Sequence, residues 1–457
     1  MYHCFSIHSK NFNEGNHLRK YTLLLIAAIL SLMLINCGEQ KTTRNESKVK
    51  IIFWHSFVSS TIPALNELIE KFEKQYPSIK IEAQYIPSGD ALIQKLITSI
   101  RSKTAPDISW LHSDFLEDLV EAEAIYKMEH FINGSNGLAK EEIDDIYPAL
   151  LQFSSWRGTL YSLPMEATNL ALIYNKEMFR KAGLDPEKPP STWEKLYEYS
   201  KRLTFDKDKD GKDDQTGMFI PIYPAAGPLG SWMVWQWEPF LWQAGGDIIN
   251  EEQTKVLYDG EGGIKALELW QKIYRDLKLR SFTSDFDVAF ASNRLAMSMD
   301  GPWNLPRYKD LLKNLDWAFA PLPTGPVKQA TVVGGEYLAI FKQSKHPDEA
   351  WQFLKWIIQP EIQAFWAMKS GYLPIRHAVL KVPEFQKYLV DNPNFKVFVE
   401  QMEVGQAQRP IDYGGLEITR HIAQAIENAT IGNQDVREAL REAAEKSNRL
   451  LNSVNKK

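Results

Sequence analysis

The chain has almost no cysteine. Of its 457 residues only Cys4 and Cys37 are cysteines, and both lie in the first 40 positions. No disulfide framework can therefore hold the body together, and no cysteine zinc site can form there. Charge of either sign is not in excess: 53 Lys and Arg stand against 58 Asp and Glu, a formal charge of −5. That balance gives no basic surface for nucleic acid. There is no internal repeat and no low-complexity segment. No G-x-S-x-G, H-E-x-x-H or P-loop Gly-Lys-Ser occurs, and the nine histidines are scattered. Carboxylate pairs exist, as in any chain with 58 acids. A secreted glycoside hydrolase thus stays open as the alternative class, although no enzyme is expected.

What is present is ordinary globular composition, with 44% hydrophobic and 24% charged residues. The length suits two large lobes that bury a core without staples. Residues 21–35 read YTLLLIAAILSLMLI, preceded by Arg19 and Lys20 and followed by Asn36-Cys37-Gly38. A basic start, a short apolar run and a nearby cleavage point predict a secretory signal. The run is short against the roughly 20 apolar residues of a membrane span. Leu34-Ile35-Asn36-Cys37 resembles a bacterial lipobox, although Asn36 stands where a small residue is usual. The expectation is a lipoprotein signal peptide over 1–36, acylation of Cys37 and a polar tether over 37–48. The protein would then be exported and lipid-anchored at the cell envelope, on the periplasmic or outer face.

The body alternates strands and helices. VKIIFW over 49–54 reads as a buried strand, Ile62–Gln75 as an amphipathic helix, and KIEAQY over 80–85 as a second strand. A helix over 91–101 and a strand over 107–111 complete βαβαβ, which predicts a parallel, doubly wound sheet. Ligands in such sheets sit at the carboxyl ends of the strands, which marks Trp54-His55 and His112-Ser113-Asp114. Further on, strands are expected over 170–174, 316–320 and 332–341. Helices are expected over 176–182, 191–203, 264–277 and 348–358, with a helical tail over 417–451. Ser191 with Glu194 reads as a capping box for the second of these helices.

Two constellations carry chemistry. SWMVWQWEPFLW over 231–242 holds Trp232, Trp235, Trp237 and Trp242, and Trp303 follows Gly301-Pro302. Sugar rings stack their apolar faces on aromatic rings, while their hydroxyls need carboxylates and amides. Clustered Trp in an exported chain therefore fits carbohydrate binding, with core packing as the competing reading for each ring. Asp206, Asp208 and Asp210 with Gly211 match the first half of a calcium loop. The twelfth position is Gly217 rather than Glu. A structural Ca²⁺ is thus the one cofactor suggested, against the plain alternative of a solvated turn.

The residues also resemble a family. Ala105-Pro106-Asp107-Ile108, then Leu163-Pro164 and Leu172-Ile173-Tyr174-Asn175-Lys176, are similar to the family 1 extracellular solute-binding proteins of ABC importers. Ala182-Gly183-Leu184-Asp185, Pro189-Pro190-Ser191-Thr192-Trp193-Glu194 and Gln243-Ala244-Gly245-Gly246 continue the pattern. Gly301-Pro302-Trp303, Gly334-Gly335 and Gly371-Tyr372-Leu373-Pro374 complete it, in order, between about 50 and 375. The nearest branches are the maltose-binding and glycerol-3-phosphate-binding proteins, and Phe53-Trp54-His55-Ser56 is like the latter.

The resemblance implies an α/β, two-lobe periplasmic-binding-protein fold of type II, each lobe a doubly wound sheet, with ligand in the cleft between lobes. Lobe one is expected over 49–165 plus 317–341, and lobe two over 166–316 plus 342–457. The lobes would hinge at crossing segments near 165, 317 and 341. Implied ligand contacts are Ser113 and Asp114, Glu166 on the first crossing, Trp303 stacking on sugar, Gly334, Gly335 and Tyr372, with a late contact near Asp412 and Tyr413. Trp54, His55, Trp235 and Glu336 complete the candidate edge. Its acids would repel a phosphate dianion, which favours a neutral sugar or oligosaccharide over a glycerol phosphate. A carbohydrate ligand, permease subunits, a membrane reached through the lipid anchor, no nucleic acid and a monomeric state are the expected partnerships.

Overall fold

The computed structural model describes residues 48–454 except 88–89, 113–114, 208, 210–212, 228, 280–284, 408–410 and 412. The expected signal peptide and all but the last residue of the tether lie outside the described residues. Among the described residues, no helix is long and apolar enough to cross a membrane.

The chain opens as β1 (Val49–His55), α1 (Ile62–Gln75), β2 (Ile79–Tyr85), α2 (Asp90–Ser102) and β3 (Ile108–Leu111). β1 pairs in parallel with both β2 and β3, as the βαβαβ order requires. α1 buries Ala64, Leu65, Leu68, Ile69 and Phe72, the apolar stripe of a 3.6-residue period. Pro77 then lies just past the helix, where it cannot continue it.

The first crossing follows as β4 (Leu163–Pro164) and β5 (Thr168–Asn169), and the second lobe opens with β6 (Ala171–Asn175). Its helices include α3 (Trp193–Arg202), α4 (Gly230–Gln243) and α5 (Glu261–Asp276), with β7 (Met297–Asp300) and β8 (Trp317–Ala320) completing a sheet. The helix predicted over 191–203 starts later than expected. Thr192, not Ser191, is its N-cap, with Oγ1 accepting from the Lys195 N–H at 3.3 Å. That shift leaves Glu194 at the second helical position, so the predicted box does not form.

The strand predicted over 332–341 is two strands, β9 (Thr331–Gly334) and β10 (Tyr337–Ile340), interrupted at Gly335-Glu336. The interruption is where the chain returns to the first lobe. β10 joins that sheet, in the order β2-β1-β3-β10-β4. Next come α6 (Pro347–Ile357) and α7 (Pro360–Ser370), then the short β11 (Gly405–Gln406). The helical tail divides into α8 (Gly415–Thr430) and α9 (Val436–Val454), parted around Gly432 and Asn433, the latter at φ 53°.

The two-lobed α/β architecture is present, but the winding differs between lobes. The first sheet has a parallel heart. The second, β8-β6-β7, is antiparallel throughout. A third small sheet, β11-β9-β5, lies at the crossing.

The packing also corrects the expected lobe boundaries. β8 pairs with β6, residues 317–320 against 172–175, so the chain is still in lobe two at 317. α6 and α7 pack on β1, β10 and α1 of lobe one, with Phe72 against Phe353 at 4.9 Å and Trp356 at 5.3 Å. Residues 393–401 pack on β8, with Phe398 4.6 Å from Phe319, and Ile411 and the tail, α8 and α9, return to the core of α4 and α5. Hydrophobic periodicity shows that such helices bury a face, but not which sheet receives it.

Candidate functional site

Three segments run side by side between the two cores. Between the β4–β10 and β5–β9 pairings, the Met165 N–H donates to the Glu336 carbonyl at 2.8 Å. Ala167 and Leu373 exchange two backbone hydrogen bonds, at 2.9 and 2.7 Å. The crossings are therefore near 165, 335 and 373, not near 317 or 341. Two glycines permit this closeness. A Cβ on Gly335 would lie 2.2 Å from the Glu166 carbonyl oxygen. Gly371 ends α7 at φ 86°, and a Cβ there would lie 2.5 Å from the Pro302 carbonyl oxygen.

Glu166 and Glu336 sit on two of these segments, both buried. Burial pushes the Glu166 carboxyl well above its ordinary range, and the Glu336 carboxyl beside it pushes it further. Two buried acids hydrogen-bond to each other only by sharing a proton. Burial and the neighbouring carboxyl thus favour the neutral form of Glu166, whose Oε2 accepts the Trp366 indole N–H at 2.6 Å while its Oε1 has no hydrogen-bond partner among the described residues. The buried side-chain hydroxyls of Thr168 and Tyr337 have no hydrogen-bond partner among the described residues.

Aromatic rings flank the crossing on either side. On the lobe-one side Phe57 lies 5.3 Å from Trp366 and 6.2 Å from Tyr372. Trp366 and Tyr372 are near parallel at 13°. His55 stacks on Phe57 at 5.5 Å, and burial holds its imidazole down at about 4. On the lobe-two side Trp232 stacks on Trp235 at 4.9 Å, and Trp303 stands 5.7 and 6.3 Å from them. Trp235 lies against Gly334, where a Cβ would come within 3.3 Å of the indole.

Trp303 is set by its turn. Asp300 ends β7 and accepts from the Gly301 N–H, the Asn304 amide and the Tyr308 hydroxyl. Burial raises Asp300 to about 6, against the pull of those donors. Trp303 packs against both hydrophobic clusters.

The structure thus gathers His55, Glu166, Trp235, Trp303, Gly335, Glu336 and Tyr372 around one crossing. Trp54 is not among them. It sits beside a separate cavity of about 420 Å³, its indole N–H donating to Gln84 and Lys95 lying over its ring. The period of two in β1 sends Trp54 and His55 to opposite faces. Tyr413 lies beneath the Arg157 guanidinium, 4.4 Å away. Ser113, Asp114 and Asp412 lie outside the described residues, as do Asp208 and Asp210 of the calcium pattern. Asp206 is described, with Oδ1 accepting the Lys209 N–H at 2.7 Å. Among the described residues, no group of three or more His, Cys, Asp or Glu could hold a metal.

Sequence reading missed Phe57, Trp366 and Asp300. Trp366 had a signal, since it lies on the last turn of a helix whose Gly cap introduces Tyr372. Phe57, on a loop after β1, had none.

Two lobes, three crossing segments and an aromatic-lined junction describe a capture device. Residues 67–396 match the profile of the family described as bacterial extracellular solute-binding protein. The chain belongs to that family. As a solute-binding protein it is 25% identical to a putative binding protein of Brucella abortus, over 95% of this chain and 99% of the relative. It is 23% identical to the sn-glycerol-3-phosphate-binding periplasmic protein UgpB of Pectobacterium atrosepticum, over 96% and 98%. Among solved structures, the cyclic alpha-maltosyl-1,6-maltose binding protein of Arthrobacter globiformis is 26% identical, with a TM-score of 0.75 over 88% of this chain and 99% of that one. The sugar-binding protein MalE of Xanthomonas citri shares the fold at a TM-score of 0.73, with 24% identity over 89% and 98%.

Proposed function

We propose that this solute-binding protein captures a sugar or oligosaccharide in the cleft between its lobes and delivers it to an ABC importer. The observation that carries the reading is the indole cluster of Trp232, Trp235 and Trp303, half-buried and set against the Gly334-Gly335-Glu336 segment. Half-exposed indoles supply apolar faces for sugar rings, and the neighbouring acids supply hydrogen bonds to hydroxyls. His55, Ser113, Asp114, Glu166, Trp235, Trp303, Gly335, Glu336, Tyr372 and Tyr413 form the proposed contact set. The lobes turn about the three crossing segments, ligand stabilises the closed form, and that form docks on permease subunits. Cys37 carries the lipid that tethers the monomer to the membrane.

Glycerol 3-phosphate is the second reading, favoured by the UgpB relatives that match nearly the whole chain. Against it stands the buried acid pair, which disfavours a phosphate dianion at that point. A thermal-shift screen over maltotriose, mannobiose, tagatose and glycerol 3-phosphate separates the readings. A ligand at one hundred times its dissociation constant stabilises by about 2.7 kcal/mol. A dominant shift with a sugar is expected, and a dominant shift with glycerol 3-phosphate would overturn the sugar reading.

A further inference from the structure

A hairpin of lobe one, just before the first crossing segment, reaches lobe two. Ser155 pairs with Leu160 and Trp156 with Thr159, so Arg157 and Gly158 form the two-residue turn. Both have positive φ, 50° and 74°. Such a turn favours Asn, Asp or Gly at its first position, and a long side chain there is disfavoured. The exposed Arg157 occupies it all the same. Its guanidinium lies 4.1 Å from the Trp156 ring centroid and 4.4 Å from that of Tyr413. Trp156 packs against the lobe-one core, whereas Tyr413 leads into α8 in the lobe-two core. Beside it the Gly414 N–H donates to Glu117 Oε1 at 3.4 Å, a second contact from one lobe to the other.

We propose that Arg157 is a clasp that holds the lobes closed, its planar guanidinium sandwiched between one aromatic ring from each lobe. The Arg157–Trp156 contact lies within lobe one and survives opening. The Arg157–Tyr413 contact exists only when the lobes meet. A contact made in one state alone shifts the equilibrium toward that state by its own free energy, with or without ligand. Arg is the suitable cation because its flat, weakly hydrated head stacks on rings, while an ammonium does so less well. Arg157 is thus a positioning residue for capture. It acts on the closed fraction and on ligand escape, and need not touch the ligand. The inference rests on the two-lobed capture reading but not on the identity of the ligand.

The scarcity of cysteine makes the test direct. A full chain carrying C4S and C37S has no thiol, so Lys103→Cys and Glu252→Cys place one fluorophore on each lobe. Single-molecule energy transfer then reads the closed-to-open ratio with no ligand added. Arg157→Ala should lower that ratio roughly three-fold, the worth of one exposed cation–π contact. Tyr413→Leu should lower it by no more than Arg157→Ala does, the double variant no further than Arg157→Ala, and Arg157→Lys by an intermediate amount. The melting temperature should stay within a degree or so of the parent, since both side chains lie at the surface of the junction. An unchanged ratio in Arg157→Ala, or losses that add in the double variant, would overturn the clasp. No sugar enters the measurement, so a failed sugar screen and a failed clasp remain separate results.

Discussion

The two aromatic clusters flanking the crossing segments are built from the same residue types and do different things. Phe57, Trp366 and Tyr372 are sealed, with Trp366 wholly inaccessible and its indole N–H spent on Glu166. Trp232, Trp235 and Trp303 are half-buried, and each lies within 6.3 Å of the other two rings. A sealed ring contributes to stability through transfer from water and dispersion. A half-open ring keeps a face to offer. The contrast assigns scaffold to the first cluster and recognition to the second, and it can be broken by experiment.

The largest effect should come from the sealed side. Trp366→Ala removes a fully buried indole and strands Glu166, and should cost about 3–5 kcal/mol of unfolding free energy, read by denaturant titration. Trp366→Phe keeps most of the volume and loses only the hydrogen bond, so about 1–3 kcal/mol is expected. If Trp366→Ala left stability intact while abolishing sugar binding, the roles of the two clusters would be reversed.

Gly335 tests the backbone between the clusters. A Cβ there would sit 2.2 Å from the Glu166 carbonyl oxygen, and backbone cannot move aside as a side chain does. Gly335→Ala should cost about 1–3 kcal/mol by overpacking and should part the first two crossing segments. Scattering would report the parted segments as a larger radius of gyration. A variant as stable and compact as the parent would show that the close approach is dispensable.

Much of this was legible in residues. The lobe-one βαβαβ unit was plain because each element has a clean period and a stop, as Ile62–Gln75 shows with its five buried positions and Pro77. Of the three crossings only the first, near 165, was legible. VVGGEYLAIF reads as one apolar strand, because periodicity records burial and is silent on which of two sheets buries it. The same silence misplaced 317–320 and the helices after 347. For the site, Glu166, Trp303 and Tyr372 were reached through motifs, whereas Trp54 fell on the opposite face from His55 within one strand. Phe57 and the Trp366–Glu166 bond join residues far apart in the chain, and no local pattern encodes such a pair.

Acid and base sharpen the comparison, because the two sides titrate with opposite sign. His55, on the sealed side, is held at about 4 by burial, below its ordinary 6.5. Its contribution is full above 6.5 and is lost as pH falls toward 4, because only the unfolded chain takes up the proton in that window. Asp300, beneath Trp303, is raised to about 6 from 3.8. Its contribution is full below 3.8 and is lost as pH rises toward 6. His55→Leu should therefore flatten the acid limb of the stability profile, and Asp300→Asn should flatten the rise in instability above pH 4. Melting curves at half-unit intervals from pH 4 to 7 read both slopes. Identical slopes in parent and variants would detach these groups from the clusters.

The smallest expected effect is the most specific. Trp303→Ala should lower the melting temperature of the free protein far less than Trp366→Ala, since the half-buried ring packs on two other half-open indoles as well as on the margins of the cores. It should weaken the sugar that gives the largest thermal shift by about 1–1.5 kcal/mol, close to ten-fold in Kd, the worth of one ring-on-ring stack. Trp235→Ala should do the same, and the double variant should lose less than the two changes summed, because the rings position each other at 6.3 Å. The diagnostic is the ratio of affinity lost to stability lost, high for Trp303 and low for Trp366. A Trp303 variant that melts several degrees lower yet binds as before belongs with Trp366. The half-open cluster would then be one more piece of core, and recognition would have to be sought elsewhere along the junction.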